Sequence, residues 1–132
     1  MMKSFTVKST QREQFLDITH EVQRIVDESN TKEGLCVAFV PHTTAGIIIN
    51  EGADLSVRSD ILSKLSRLVP SNENYSHLEG NADAHIKSAI IGSSVAIPIS
   101  EGRLTLGTWQ KVFLCEFDGP RVRSVIVQVI GK

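Results

Sequence analysis

Four short apolar segments fill the chain from Ser93 onward, and they strongly limit the folds that the chain can adopt. The segments are SVAIPI, RLTLGTW, KVFLCEF and RVRSVIVQVI, and they are rich in β-branched and aromatic residues, which favour strands. The turns between them are predicted at Glu101-Gly102 and Asp118-Gly119-Pro120. We therefore predict four strands that form a C-terminal β-meander in an antiparallel or mixed sheet.

The part of the chain before Ser93 shows both strand and helix patterns. Residues 3–9 alternate apolar and polar side chains, whereas residues 54–70 repeat apolar residues at helical spacing. The predicted elements are strand 3–9, helix 17–30, strands 34–40 and 45–51, helix 54–70 and a short helix 84–91, with caps at Asp17, Asp54 and Gly92. The chain, residues 1–132, is thus predicted to be a single α+β domain with helices packed on one face of the sheet.

The composition is that of a globular chain, because 41% of its 132 residues are hydrophobic and 22% are charged. A formal charge of −1 predicts no general attraction to nucleic acid or to an anionic membrane. No apolar run has the length of a membrane helix, and residues 1–10 lack the apolar centre of a secretion signal. Cys36 and Cys115 lie in apolar runs and are predicted to be buried thiols, so we expect a reducing, cytoplasmic location.

Three of the four histidines lie at predicted boundaries between elements. His42 ends a buried strand, His77 lies in a polar loop, and His85 begins the short helix. Side chains at such junctions can converge on one cleft, where neutral imidazoles bind metal ions and protonated ones bind phosphate. Their spacing matches no local metal motif, so scattered surface histidines are the alternative. His20 lies away from the apolar stripe of its helix and is interpreted as solvated.

The segment VPHTTAGIII joins two buried strands through polar residues. The hydroxyls of Thr43 and Thr44 either bond the local backbone or contact a ligand beside His42. Glu51 ends the second strand, where partial desolvation would suit acid–base work, although glutamates at strand ends are commonly only solvated. Asp54, three residues later, is interpreted as a helix cap.

A second group of polar residues lies in the C-terminal half. Gly92-Ser93-Ser94 could present N–H groups and hydroxyls to an anion, although such turns are common. Gly107 predicts a bulge or a close backbone approach, and Trp109 predicts core packing or a subunit contact. Gln110 could orient a ligand or satisfy backbone groups, and Arg103 could bind phosphate or lie on the surface as a solvated side chain.

Three segments of the chain carry a resemblance to a known family. In chain order, HTTAGIIINE, NADAHIKSAIIGSSVAIPI and GRLTLGTWQKVFLCEFDGPR resemble the signature segments of the YjbQ family. These small proteins are often called secondary thiamine-phosphate synthases. Three motifs in the right order make the resemblance more specific than any single spacing, and it extends over nearly the whole chain to VIVQVIGK.

The resemblance implies a compact α+β domain of the YjbQ type that assembles as a homotrimer. It implies that His42, His77 and His85 form a cleft that binds a divalent metal ion, zinc or magnesium, or a phosphate. Glu51 matches the family's acidic residue after the IN pair, and we expect Glu51 and His85 to be catalytic, with Glu51 as general base or fourth ligand. Substrate or phosphate contacts are predicted for the polar residues His42, Thr44, Asn50, Arg103 and Gln110.

Two functions follow from these features. The first is a weak thiamine-phosphate synthase activity, which joins the thiamine pyrimidine diphosphate to the thiazole phosphate and releases diphosphate. A cation in the cleft would neutralise charge on the departing diphosphate. The activity belongs to the family as a secondary one, so the main reaction stays open. The alternative is a non-catalytic trimeric module that binds a phosphorylated metabolite or a metal through the same residues.

Overall fold

Two antiparallel sheets and three helices make up the fold in a computed structural model, which describes all residues from Met1 to Lys132. The elements in chain order are β1 (Met2–Lys8), β2 (Gln14–Asp17), α1 (Thr19–Ser29), β3 (Gly34–Phe39), β4 (Ala45–Glu51), α2 (Leu55–Leu68), α3 (Ala82–Ile91), β5 (Ser94–Ser100), β6 (Arg103–Leu104), β7 (Gln110–Glu116) and β8 (Val122–Gly131). The larger sheet has the strand order β1-β8-β3-β5-β6, and the smaller has the order β2-β7-β4.

The main hydrophobic core lies between the two sheets and α1. Strand β8 places Val125, Val127 and Val129 in this core at a spacing of two residues, as expected for a strand with one buried face. Helix α1 adds Val22 and Val26 at helical spacing. Burial of such side chains stabilises the fold by about 1.5–3 kcal/mol each. The two sheets are therefore held together as one body.

A second core lies between the smaller sheet and the helices α2 and α3. Strand β7 directs Val112 and Leu114 to the main core, and it directs Phe113 and Cys115 to the second core. Leu65 of α2 packs in the second core. A strand that is apolar on both faces needs a layer on each side, so β7 occupies the middle layer of the molecule. The prediction of an α+β domain with helices packed on a sheet is confirmed.

The predicted C-terminal meander is wrong. Only β5 and β6 form a hairpin, across the two-residue turn Glu101-Gly102, in which both residues have positive φ. Strand β7 pairs with β2 and β4 in the smaller sheet, whereas β8 pairs with β1 and β3 in the larger one. The two-sided burial of β7 separates it from its sequence neighbours, because the larger sheet has only one face against the core.

Several element boundaries also differ from the predictions. The strand predicted for residues 103–109 ends at Leu104, and Gly107 lies in a turn closed by the Gln110 N–H, not in a bulge. Strand β2 was not predicted, and helix α1 begins after Ile18 instead of Asp17. Helix α2 has the predicted cap, since the Asp54 carboxylate accepts a hydrogen bond from the Ser56 N–H at 3.0 Å.

The two cysteines are free and buried, as predicted. Burial raises the pKa of the Cys36 thiol to about 11 and raises the pKa of Cys115 well above its ordinary value. Both thiols are therefore protonated and unreactive at neutral pH. The helices of the chain include none that is both long and apolar enough to cross a membrane.

Candidate functional site

His42 lies in the turn that carries the chain from β3 of the larger sheet to β4 of the smaller sheet. The Ser124 N–H donates a hydrogen bond to His42 Nε2 at 2.9 Å, so the neutral ring carries its proton on Nδ1. Burial lowers the pKa of His42 below its ordinary value of 6.5, and the charge of Arg123 lowers it further, against a smaller opposing effect of Glu116. His42 is therefore a neutral N–H donor at pH 7.

A buried ion pair between Arg123 and Glu116 holds this turn in place. Arg123 donates to Glu116 Oε1 from Nε at 2.8 Å, and its Nη2 donates to Glu116 Oε2 and to the Thr44 hydroxyl. Glu116 also accepts a hydrogen bond from the Ser9 hydroxyl at 2.8 Å. Thr44 is thus buried, and its hydroxyl bonds the side chain of Arg123 and not the local backbone.

The turn forms one wall of a cleft of about 350 Å³, and helix α3 forms the other. We call it the histidine cleft and define it by His42, Thr43, Ala45, His85, Ser88 and Ser93. Ser88 is only 8% exposed, and its hydroxyl has no hydrogen-bond partner in the protein. A buried hydroxyl without a partner costs about 1–3 kcal/mol, so a ligand atom or water that bonded Ser88 would remove that cost.

His77 lies in an adjoining cleft of about 390 Å³, and His85 lines both clefts. The rings of His77 and His85 are 5.1 Å apart between centroids, in an edge-to-face arrangement. His77 Nε2 lies 2.9 Å from Asn81 Oδ1, so Nε2 donates a hydrogen bond to this amide oxygen. Tyr75 and Ile86 line the same cleft and make it the more apolar of the two.

The other predicted site residues lie at the far end of β4. Strand β4 begins at Ala45, in the histidine cleft, and ends at Glu51, which is about 20 Å away by strand geometry. Glu51 accepts a hydrogen bond from the Ala53 N–H at 2.7 Å and pairs in register with Gln110. Asn50 accepts from the Glu51 N–H. Within one chain the predicted site residues therefore lie in two separate places, and Glu51 is not in contact with His85.

Three histidines are the candidate metal ligands that the chain brings near one another. His77 and His85 are neighbours, and His42 faces His85 across the histidine cleft. No three side chains of His, Cys, Asp or Glu in the chain are arranged to hold a metal ion. Protein sites for zinc use at least three such ligands, so the residues of one chain do not by themselves fit a zinc site. A metal at these histidines stays a prediction.

Sequence reasoning placed His42, His77 and His85 near one another but missed Ser88, Arg123 and Glu116. Ser88 carried a signal that could have found it, since it lies three residues after His85 and hence on the same side of α3. Trp109, predicted to pack in a core or at a subunit contact, is 62% exposed in the single chain, so core packing is excluded.

The fold is that of a small two-sheet α+β protein with a histidine-lined cleft between the β3–β4 turn and helix α3. The family model described as "UPF0047 protein YjbQ-like" matches residues 3–132. The chain belongs to this family, as the sequence segments predicted.

Relatives and solved structures agree with this assignment. A UPF0047 protein of Methanocaldococcus jannaschii is 51% identical over 131 residues, covering 99% of this chain and 95% of the relative. The protein YugU of Bacillus subtilis is 42% identical and is covered over its whole length. A crystal structure of a Clostridium acetobutylicum family member, 49% identical, superposes with a TM-score of 0.95 over 97% of this chain and 99% of that one. A Sulfolobus solfataricus structure, 35% identical, gives 0.96 over 100% and 97% and is described as a protein of unknown function.

Proposed function

We propose that the histidine cleft binds the phosphate group of a small molecule. The observation that carries the proposal is the buried Ser88 hydroxyl, which has no partner although its residue lines the cleft. Rotation of the Ser88 side chain to another rotamer would let a phosphate oxygen accept its hydrogen bond and remove the cost of about 1–3 kcal/mol. His42 would supply an Nδ1–H donor from the opposite wall, because its Nε2 is occupied by the Ser124 N–H. The exposed hydroxyls of Thr43 and Ser93 supply further donors.

We further propose that the substrate is the one the family resemblance implies, so that the chain has a weak thiamine-phosphate synthase activity. The adjoining, more apolar cleft beside Tyr75 suits a flat ring, and the histidine cleft suits a phosphate or diphosphate. Donors aimed at the departing diphosphate would stabilise charge that develops there. A neutral His42 offers an N–H and not a full positive charge, which accords with a weak activity.

Turnover by the purified chain tests this proposal. The pyrimidine diphosphate and thiazole phosphate are supplied with Mg²⁺, with Zn²⁺ and with neither, and thiamine phosphate is measured. His85→Ala is expected to reduce turnover by about 100-fold or more, the usual loss for a catalytic acid or base. Full activity of a folded His85→Ala variant would place the reaction elsewhere. Lys64→Ala, at an exposed position on α2 outside every cleft, is the control and is expected to keep activity.

Glu51→Ala separates two versions of the site. Within one chain Glu51 lies at the far end of β4 from the histidine cleft. Glu51 could therefore act with His85 only if a site were shared between copies of the chain, and its catalytic role stays a prediction. A turnover loss in Glu51→Ala as large as that of His85→Ala would indicate such a shared site. Unchanged turnover would assign the chemistry to the histidine side alone.

The alternative function is a non-catalytic module that binds a phosphorylated metabolite. One observation favours it, because no carboxylate lines the histidine cleft of the single chain and none can serve there as general base. Saturable phosphate binding without product under every metal condition would support this module over the synthase.

We also propose that the chain assembles as a homotrimer through the outer face of the larger sheet. On this face the register places Leu35 beside Ile130 and Phe39 beside Ile126. Leu35, Phe39 and Ile130 are 39%, 41% and 58% exposed, and a contiguous apolar face of this kind is typical of subunit interfaces. Light scattering should give the mass of three 14.5 kDa chains, and Phe39→Asp should give single chains. A single-chain mass for the wild type would contradict the proposal.

A further inference from the structure

A further cleft lies at the far end of the smaller sheet from the histidine cleft. It has a volume of about 210 Å³ and lies between the first turn of α1, the segment after β6 and the start of β7. We call it the basic cleft and define it by His20, Arg103, Gly107, Thr108, Gln110 and Lys111. Gln110 pairs in register with Glu51, the last residue of β4, whereas Ala45, the first, lines the histidine cleft. The two clefts are therefore separated by the length of β4, about 20 Å.

The charged side chains that line the basic cleft are of one sign. They are Arg103 and Lys111, with the imidazole of His20 beside them, and no aspartate or glutamate lines the cleft. None of these three side chains forms a salt bridge or a hydrogen bond within the chain, so their donors are free. Cations gathered in a concave site repel one another, and a bound anion would relieve that repulsion.

The nearby carboxylates are engaged elsewhere or lie outside the basic cleft. Asp17 accepts hydrogen bonds from the Thr19 N–H and hydroxyl, and Glu51 accepts from the Ala53 N–H. Asp27 accepts from the side-chain amide of Gln23. Glu21 and Asp27 line a neighbouring cleft that shares Arg103 and His20, and neither forms a salt bridge with them.

A neutral donor is also fixed in place beside these cations. The Gly107 N–H donates to Gln110 Oε1 at 2.8 Å, and the Gln110 N–H donates to the Gly107 carbonyl. Because the amide oxygen is occupied by the Gly107 N–H, the side-chain NH₂ of Gln110 is left as a donor with no partner in the protein. The exposed Thr108 hydroxyl lies in the same wall. The wall therefore offers donors of the kind that a tetrahedral oxyanion accepts from several directions.

We propose that the basic cleft is a second anion site, which binds a phosphate group through Arg103, Lys111 and the Gln110 amide. The site is independent of the proposed function of the histidine cleft, since the two share no residue. Its phosphate belongs either to inorganic phosphate or to a small phosphate monoester, and the two sources share the same oxygen acceptors.

Amide NMR during titration of the whole chain tests the proposal, with inorganic phosphate in one series and glycerol phosphate in the other. Phosphate is expected to shift the amides of Arg103, Gly107 and Lys111, and a tighter series with glycerol phosphate would identify the ester as the ligand. Equal affinity for both would identify the phosphate group alone. Added potassium chloride is expected to weaken the binding.

Two variants and a control decide whether the assigned side chains bind the anion. Arg103→Gln and Lys111→Gln keep part of each stem and are expected to weaken phosphate binding at this cleft by about tenfold or more. Lys64→Gln removes an exposed positive charge on α2, outside every cleft of the chain, and is expected to bind like the wild type. The proposal is overturned if millimolar phosphate leaves these amides unshifted, or if both variants bind as tightly as Lys64→Gln. Signals from His42 and Ser88 report the other cleft separately.

Discussion

Replacing Arg123 with methionine is expected to lower the free energy of unfolding by about 3–5 kcal/mol, the usual cost of breaking a buried ion pair from one side. Glu116 is fully buried and Arg123 is 4% exposed, so the substitution leaves a carboxylate without its cation away from water. The Ser9 hydroxyl and the Asp118 N–H still donate to Glu116, but neither carries a charge. Urea unfolding measures the loss.

The same substitution should change the pH dependence of stability. Burial on its own raises the pKa of Glu116, but the hydrogen bonds and charge of Arg123, with the Asp118 N–H and Ser9 hydroxyl, lower it below the ordinary value of 4.5. A carboxylate with a lowered folded pKa stabilises the fold above its unfolded pKa, and that stabilisation is lost as pH falls below about 4.5. Without Arg123 the pKa of Glu116 in the folded chain rises, so the difference between wild type and Arg123→Met should be largest at neutral pH and shrink as pH falls from the raised pKa of the variant to the lowered pKa of the wild type.

A surface ion pair provides the matched control for Arg123→Met. Lys3 and Glu28 are bonded at 2.6 Å, but their side chains are 49% and 42% exposed. Lys3→Met is expected to cost about 0–1 kcal/mol, because water and salt screen such a pair. Equal losses for Lys3→Met and Arg123→Met would contradict the role given to the buried pair. A folded Arg123→Met chain should also show a disturbed His42 signal, since Arg123 holds the Thr44 turn.

Replacing Lys87 with methionine is expected to have the second largest effect, a loss of about 3 kcal/mol. Lys87 is 1% exposed and bonds Asp83 on its own helix and Glu13 on the loop before β2, each at 3.1 Å. Arg12 bonds the other oxygen of Asp83 at 3.0 Å. This network ties α3, which carries His85 and Ser88, to the loop before β2, so the variant should also weaken phosphate binding in the histidine cleft.

A double variant distinguishes a buried unpaired charge from lost packing around Lys87. Asp83→Leu added to Lys87→Met removes the remaining buried carboxylate, and Arg12 is 42% exposed and can return to solvent. Replacement of both buried partners by apolar groups is commonly near neutral, so most of the stability should return. Unfolding of the two variants in urea is the measurement. If the double variant is less stable than Lys87→Met alone, the loss came from packing and the charge argument is wrong.

Local signals predicted the elements whose ends are fixed by nearby residues. Asp54 caps α2 through a hydrogen bond to a residue two positions away, and β4 coincides with its β-branched run. Strand β2 and the place of β7 depend on pairing between residues distant in sequence, and a pattern read along the chain contains no register. The prediction of a meander was wrong because an apolar run indicates only that β7 is buried on both faces. It does not indicate which sheet contains the strands that pair with β7.

The candidate site, like the fold, was predicted from the sequence only in part. The three histidines at element boundaries were found, because boundaries of this kind are visible in the sequence. The buried pair of Arg123 and Glu116 was missed, since each stands in a strand where alternation predicts only the direction of a side chain. Glu51 was grouped with His85 because both match motifs of the family, whereas a seven-residue strand separates them in the fold.

Phosphate titration observed at the imidazole NMR signals tests most directly whether the histidine cleft binds phosphate through His42, His85 and Ser88. The rings of His42 and His85 should shift together with a single dissociation constant. Ser88→Ala should weaken binding about tenfold and leave the free chain as stable as before or more so, since it removes an unpartnered buried hydroxyl. Phosphate binding in the histidine cleft would be contradicted if the signals of both rings did not shift at saturating phosphate. It would also be contradicted if the Ser88→Ala chain bound phosphate as tightly as the wild type.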